Sequence, residues 1–130
     1  MEKKKILIVE DEKVIAQDIK NSLKAYKYSI SAIVSSGEEA LENIEKLKPD
    51  LIIMDIVLSG DLTGVEAAEQ IKEKFGTPII FLTAYADEDT LEGAIAADPY
   101  GYLVKPVREK DIIAAVKTAF HMIQRETNSK

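Results

Sequence analysis

Five polar residues stand at the ends of short apolar runs. Glu10 and Asp11 follow Ile6-Leu7-Ile8-Val9, Asp55 follows Leu51-Ile52-Ile53-Met54, Thr83 follows Ile79-Ile80-Phe81-Leu82, and Lys105 follows Tyr100 to Val104. Runs this short and this apolar fit strands buried on both faces, as in a parallel sheet. The carboxyl ends of parallel strands share one edge, and in open α/β sheets ligands bind there. Three carboxylates, one hydroxyl and one ammonium would then converge. Each has an ordinary reading alone: a helix cap, a turn hydroxyl, a solvated lysine. Their arrival at one edge is what points to chemistry. Two unit charges ~4 Å apart interact by about 4 kcal/mol at an effective dielectric near 20, so clustered acids call for a cation. An all-oxygen donor set suits Mg²⁺ or Mn²⁺, and a chain with no Cys and a single distant histidine, His121, argues against Zn²⁺. An aspartate can accept a phosphoryl group as an acyl phosphate. The cation, the Lys105 ammonium and the Thr83 hydroxyl would stabilise charge on the transferring group.

The elements that must position these residues alternate. A helical stripe of Ile15, Ile19, Leu23 and Tyr26 follows the first run, with Asp11 as its expected N-cap and acids in its first turn. Ile30 to Val34 reads as a second strand. Ser36-Gly37-Glu38-Glu39 has the Ser-to-Glu spacing of a capping box, opening a helix with Ala40, Leu41, Ile44 and Leu47 inward. After Asp55 comes a loop from Ile56 to Thr63, then a helix from Gly64 to Phe75. Asp87-Glu88-Asp89 opens a short helix through Ala97, weakened by Gly93. The last helix carries Ile112, Ile113, Val116, Phe120 and Ile123, and a polar tail is expected to fray beyond Arg125. Strand then helix, five times over, predicts an α/β fold with a parallel sheet covered on both faces.

Composition narrows the function classes. A chain of 130 residues is about one domain long and can bury a core without disulfides. The net charge of −6 argues against a phosphate-backbone binder, and Lys3-Lys4-Lys5 reads as a solvated lead-in to the first strand. Aromatics are few and not interleaved with Arg, so base stacking is not expected. No membrane span or signal peptide is evident, and a cytoplasmic protein is the expectation.

With these residues in view, the chain resembles the receiver domain of two-component response regulators. The matching stretches are Ile6 to Glu12, Leu51 to Asp55, Ile80 to Ala84 and Gly101 to Pro106. The resemblance implies a flavodoxin-like (βα)5 fold with strand order 2-1-3-4-5. It implies a receiver over residues 1–123 and a polar C-terminal tail over 124–130. Asp55 corresponds to the residue phosphorylated by a histidine kinase or phosphotransfer protein. Glu10 and Asp11 resemble the metal-binding acid pair, with Asp55 and the Val57 carbonyl completing the ligands. Lys105 and Thr83 resemble the groups that contact the phosphoryl oxygens, joined by the Ala84 amide. Tyr102 stands at the family's switch aromatic, and Lys105-Pro106 at its cis peptide. Three features depart from the common pattern. The loop after Asp55 is one residue longer, Asp98-Pro99-Tyr100 precedes Gly101 in place of small residues, and Val107 replaces a common Phe.

The implied signal is local charge with a remote readout. Phosphorylation adds about −1.5 to −2 charge, Thr83 moves inward, and Tyr102 fills the space it leaves. The face built by the fourth helix, fifth strand and fifth helix would then bind a downstream protein or a second copy. Val14 is an expected apolar contact for the donor, and Val57 and Tyr85 are expected to govern water access to the acyl phosphate. The chain is expected to promote only its own phosphorylation and dephosphorylation, not to act as an enzyme on other substrates. It would be a stand-alone receiver or one excised from a longer regulator or hybrid kinase. A phosphatase using Asp-x-Asp is disfavoured because Asp55-Ile56-Val57 lacks the second acid. A flavin carrier is disfavoured because Glu10-Asp11-Glu12 would repel its phosphate. A purely structural, unphosphorylated receiver-like module is disfavoured by the complete acid set with Thr83 and Lys105.

Overall fold

The computed structural model describes residues 3–84 and 88–128. Strands and helices alternate: β1 (Lys5–Val9), α1 (Lys13–Ala25), β2 (Ser29–Val34), α2 (Gly37–Leu47), β3 (Leu51–Asp55), α3 (Gly64–Lys74), β4 (Ile79–Thr83), α4 (Glu88–Ala96), β5 (Gly101–Val104) and α5 (Glu109–Asn128). The five strands form one parallel sheet in the order β2-β1-β3-β4-β5. This is the expected fold, and it explains the run pattern. Every residue of β3 and β4 is buried, because helices cover both faces of the central strands. The outer strands β2 and β5 are only partly covered.

Alternation along each strand splits the apolar residues between two cores. Ile6, Ile8, Ile53, Ile80 and Leu82 pack against α1 through Ala16, Ile19 and Leu23, and against α5 through Ile112, Ile113, Val116 and Ala119. Leu7, Val9, Ile52, Met54 and Phe81 pack against α2, α3 and α4 through Ala40, Ile44, Ala67, Ala68, Ile71 and Ala94.

Local chemistry sets the helix ends, not always where the sequence pattern put them. α1 starts at Lys13, with Glu12 as an N-cap that makes no side-chain cap bond and no acid in its first turn. Asp11 is therefore not the cap; the chain leaves β1 extended, which frees Asp11 to face the sheet edge. Tyr26 is the C-cap of α1 and 47% exposed, so Ala16, not Tyr26, completes the buried stripe with Ile19 and Leu23. Ser36 caps α2 by accepting from the Glu39 amide at 3.1 Å. The reciprocal bond is not made, because the Glu39 carboxylate accepts from Ser35 Oγ at 2.8 Å instead. The complete capping box lies at α3, where Thr63 and Glu66 bond each other's backbone amides.

α5 continues to Asn128, through most of the stretch expected as a frayed tail. Two side-chain bonds hold its last turn: Tyr100 donates its hydroxyl to Glu126, and Thr127 Oγ1 donates to the Ile123 carbonyl at 3.0 Å. No helix among the described residues is long and apolar enough to cross a membrane.

Candidate functional site at the carboxyl edge

Ladder hydrogen bonds fix the backbone one step past β1, β3 and β5. The Glu10 amide donates to Val34 O at 2.9 Å, the Ile56 amide to Leu82 O at 2.9 Å, and the Lys105 amide to Thr83 O at 2.7 Å. The side chains that follow are thus delivered to one edge by the sheet itself. Lys105-Pro106 is a cis peptide, as the resemblance implied.

Lys105 bridges the acids. Its Nζ lies 2.7 Å from Asp55 Oδ2, 2.9 Å from Glu10 Oε1 and 3.8 Å from Glu12 Oε1. Lys105, Glu10 and Asp55 are almost shielded from water, with side-chain exposures of 9%, 0% and 5%. Asp55 Oδ1 accepts from the Val57 amide at 2.9 Å. Glu10, Asp11 and Asp55 each offer a carboxylate oxygen, all within 4.8 Å of one another. Asp11 is exposed and closes the group from the solvent side.

The electrostatics follow from burial and crowding. Burial, reinforced by the adjoining Asp55 carboxyl, pushes Glu10 up to about 8 against the pull of Lys105. Burial alone would lower Lys105, but Asp55 and Glu10 outweigh it and hold the ammonium up to about 12. With all three carboxyls ionised, as a bound cation would hold them, they and the one ammonium carry a formal charge of −2. Glu10 Oε2 is buried without a hydrogen-bond partner. An orphaned carboxylate oxygen inside an oxygen-only group of net charge −2 fits a small divalent cation such as Mg²⁺.

Thr83 is buried at 4% exposure at the end of β4. It pairs with Val104, while Phe81 pairs with Tyr102, so Thr83 and Tyr102 lie one diagonal step apart on the same face. The Tyr102 ring sits 6.3 Å from that of Phe81 and is 37% exposed. Ala84 is exposed just beyond Thr83. Val57 is 71% exposed above the site, and Val14 is 75% exposed on α1. Tyr85 lies outside the described residues. His121 is exposed on α5, away from this edge.

Two contributors escaped the sequence reading. Glu12 adds a third, longer contact to Lys105. Gly64 begins α3 so close to β3 that a Cβ would lie 2.2 Å from the Asp55 carbonyl oxygen. Only glycine admits that approach, and its place directly after the Thr63 cap was the available signal.

A doubly wound sheet of this strand order, with an acid-rich carboxyl edge spanned by one lysine, defines a flavodoxin-like signal receiver. The response regulator receiver domain family matches residues 6–117, and the chain belongs to it. It is 39% identical over 116 residues to the transcriptional regulatory protein PdtaR of Mycobacterium tuberculosis, covering 89% of this chain and 56% of that protein. It is 40% identical over 118 residues to the positive alginate biosynthesis regulatory protein of Pseudomonas aeruginosa, covering 88% of this chain and 46% of that one. The chain thus spans about half the length of these relatives. Among solved structures, the signal receiver domain of a modulated diguanylate cyclase from Desulfovibrio desulfuricans G20 superposes with a TM-score of 0.91 at 34% identity, over 96% of this chain and 99% of that one. A CheY-like receiver domain protein from Methanospirillum hungatei JF-1 gives 0.87 at 28% identity, over 96% and 99%. The protein is a receiver domain of a two-component response regulator.

Proposed function

We propose that Asp55 accepts a phosphoryl group from a phosphohistidine donor in a Mg²⁺-dependent step, with Mn²⁺ able to substitute. An Asp55 oxygen forms the new P–O bond, the donor's P–N bond breaks, and the freed imidazole nitrogen keeps the electron pair and takes up a proton. The observation that carries this reading is the Lys105 ammonium 2.7 Å from a buried Asp55 beside two further acids. A bound divalent ion supplies positive charge against the phosphoryl oxygens. Glu10, Asp11, Asp55 and the Val57 carbonyl are the residues that would hold it. Lys105 exchanges part of its contact with the acids for the incoming oxygens, and Thr83 and the Ala84 amide donate to them.

A recess of about 380 Å³ lined by Ile15, Asp18, Ala84, Lys105, Pro106 and Val107 opens beside Lys105, and the donor docks there, with the exposed Val14 of α1 as an apolar contact. Inward movement of Thr83 draws Tyr102 after it along their shared face. That movement reshapes the surface carrying Leu91 and Ile95 of α4 and Tyr102 and Val104 of β5, all exposed. A downstream protein or a second copy of the chain binds this surface with α5. The domain catalyses only its own phosphoryl gain and loss, and its net charge of −6 does not suit direct nucleic-acid binding.

Intact mass spectrometry after incubation with acetyl phosphate and Mg²⁺ tests the chemistry. One added phosphoryl mass is expected, lost with EDTA and absent in Asp55→Asn. An Asp55→Asn chain that gains the same mass would sink the proposal.

A further inference from the structure

The loop between β3 and α3 is fastened to α2 as well as to its own ends. Ser36 and Ser59 form an isolated parallel bridge, and Ser59 Oγ donates to the Ser35 carbonyl at 3.1 Å. The Asp61 amide donates to Glu38 Oε2 at 2.9 Å. Gly60, at φ +97°, lies under the same carboxylate, so that a Cβ there would be 2.8 Å from Glu38 Oε1. The Asp61 amide foremost holds the Glu38 carboxyl below its ordinary range, so at neutral pH it accepts as an anion. At the near end of the loop the Ile56 amide is tied to Leu82 O and the Val57 amide to Asp55 Oδ1. Only Leu58 separates Val57 from the bridged Ser59. The peptide between Val57 and Leu58 therefore lies between two tethered points.

We propose that Glu38 is a positioning residue for the cation side of the Asp55 edge: by holding the Asp61 amide, it aims the Val57 carbonyl at the group formed by Glu10, Asp11 and Asp55. This rests on the reading of that edge as a divalent-cation site. Glu38 also lies in the first turn of α2, where an acid favours the helix through its dipole. That role alone would alter stability and leave cation affinity untouched.

The test is a Mg²⁺ titration of the ¹⁵N-labelled chain, followed by NMR at the Val57 amide, in the wild type, Glu38→Gln and Glu38→Ala. Urea unfolding in EDTA reports the helix contribution separately. Glu38→Ala is expected to raise the half-saturating Mg²⁺ concentration by up to about tenfold, the low end for loss of an outer supporting partner. Glu38→Gln, whose amide oxygen can accept the same bond, is expected to stay near the wild type. Unchanged Mg²⁺ affinity in Glu38→Ala, or equal weakening in Glu38→Gln, overturns the proposal. A wild type with no Mg²⁺ response at Val57 overturns the reading of the edge itself, which separates the two failures.

Discussion

Under the proposed cation binding, Glu10 sets a proton against the ion. Its carboxyl is raised from 4.5 in the unfolded chain to about 8 in the fold, so the metal-free fold holds a proton that the unfolded chain has released. A raised value stabilises below the unfolded pKa and is lost as pH climbs through the folded one. Metal-free stability is therefore expected to fall between about pH 5 and 8, seen as a declining urea midpoint in EDTA. Saturating Mg²⁺ holds Glu10 as an anion and should flatten that slope; a midpoint that climbs with pH in EDTA would contradict the assignment. At this scale the sequence was informative because Glu10, Asp55, Thr83 and Lys105 are each the first polar group after an apolar run. Glu12 and Gly64 were harder to see. Their roles depend on a distance to Lys105 and to the Asp55 carbonyl, which linear spacing does not carry.

Among the helices, α4 has the fewest buried residues among those described. Ala94 is its one fully buried residue among those described, while Leu91 and Ile95 face outward. Few apolar contacts mean a low local opening free energy. Backbone amides of α4 are expected to exchange hydrogen much faster than those of β3, whose five residues are all buried. Equal protection of the two would remove α4 as the moving part. Tyr102→Ala should leave Asp55 phosphorylation intact and abolish the gain in partner or self-association that follows it. A variant that still responds in full assigns the readout elsewhere. The strands were legible because burial on both faces leaves an unbroken apolar run. Helix ends were less so. Ser36 caps α2 as its spacing indicated, yet Glu39 turned to Ser35, and the same Thr-x-x-Glu spacing at Thr63 produced the complete box. The pattern shows which pairs can bond; neighbouring hydroxyls decide which do.

At the scale of the whole molecule, two cores back a single sheet. Leu23 lies near the end of α1, remote from the carboxyl edge, and is fully buried between α1 and the sheet. Leu23→Ala is expected to cost about 2–5 kcal/mol in urea unfolding. Phosphoryl uptake at Asp55 should persist below the unfolding transition, since Leu23 stands near the end of α1 that lies away from the carboxyl edge. Loss of uptake in a folded Leu23→Ala chain would show that site and core are one cooperative unit. The alternation of strand and helix was enough to give a parallel sheet. Its order came from likeness to known receivers, because hydrophobic runs say that a strand is buried but not beside which neighbour. The length of α5 was misjudged because its last turn is held by polar bonds from Tyr100 and Thr127, which an apolar stripe does not register.

The lysine spanning Glu10 and Asp55 has one more effect. Its positive charge is already spoken for, so the resting edge greets a free anion with carboxylates. On the proposed chemistry, orthophosphate, however abundant, would gain little by entering. The domain would thereby be deaf to the product of its own hydrolysis and answer only a donor that arrives with an activated bond to surrender.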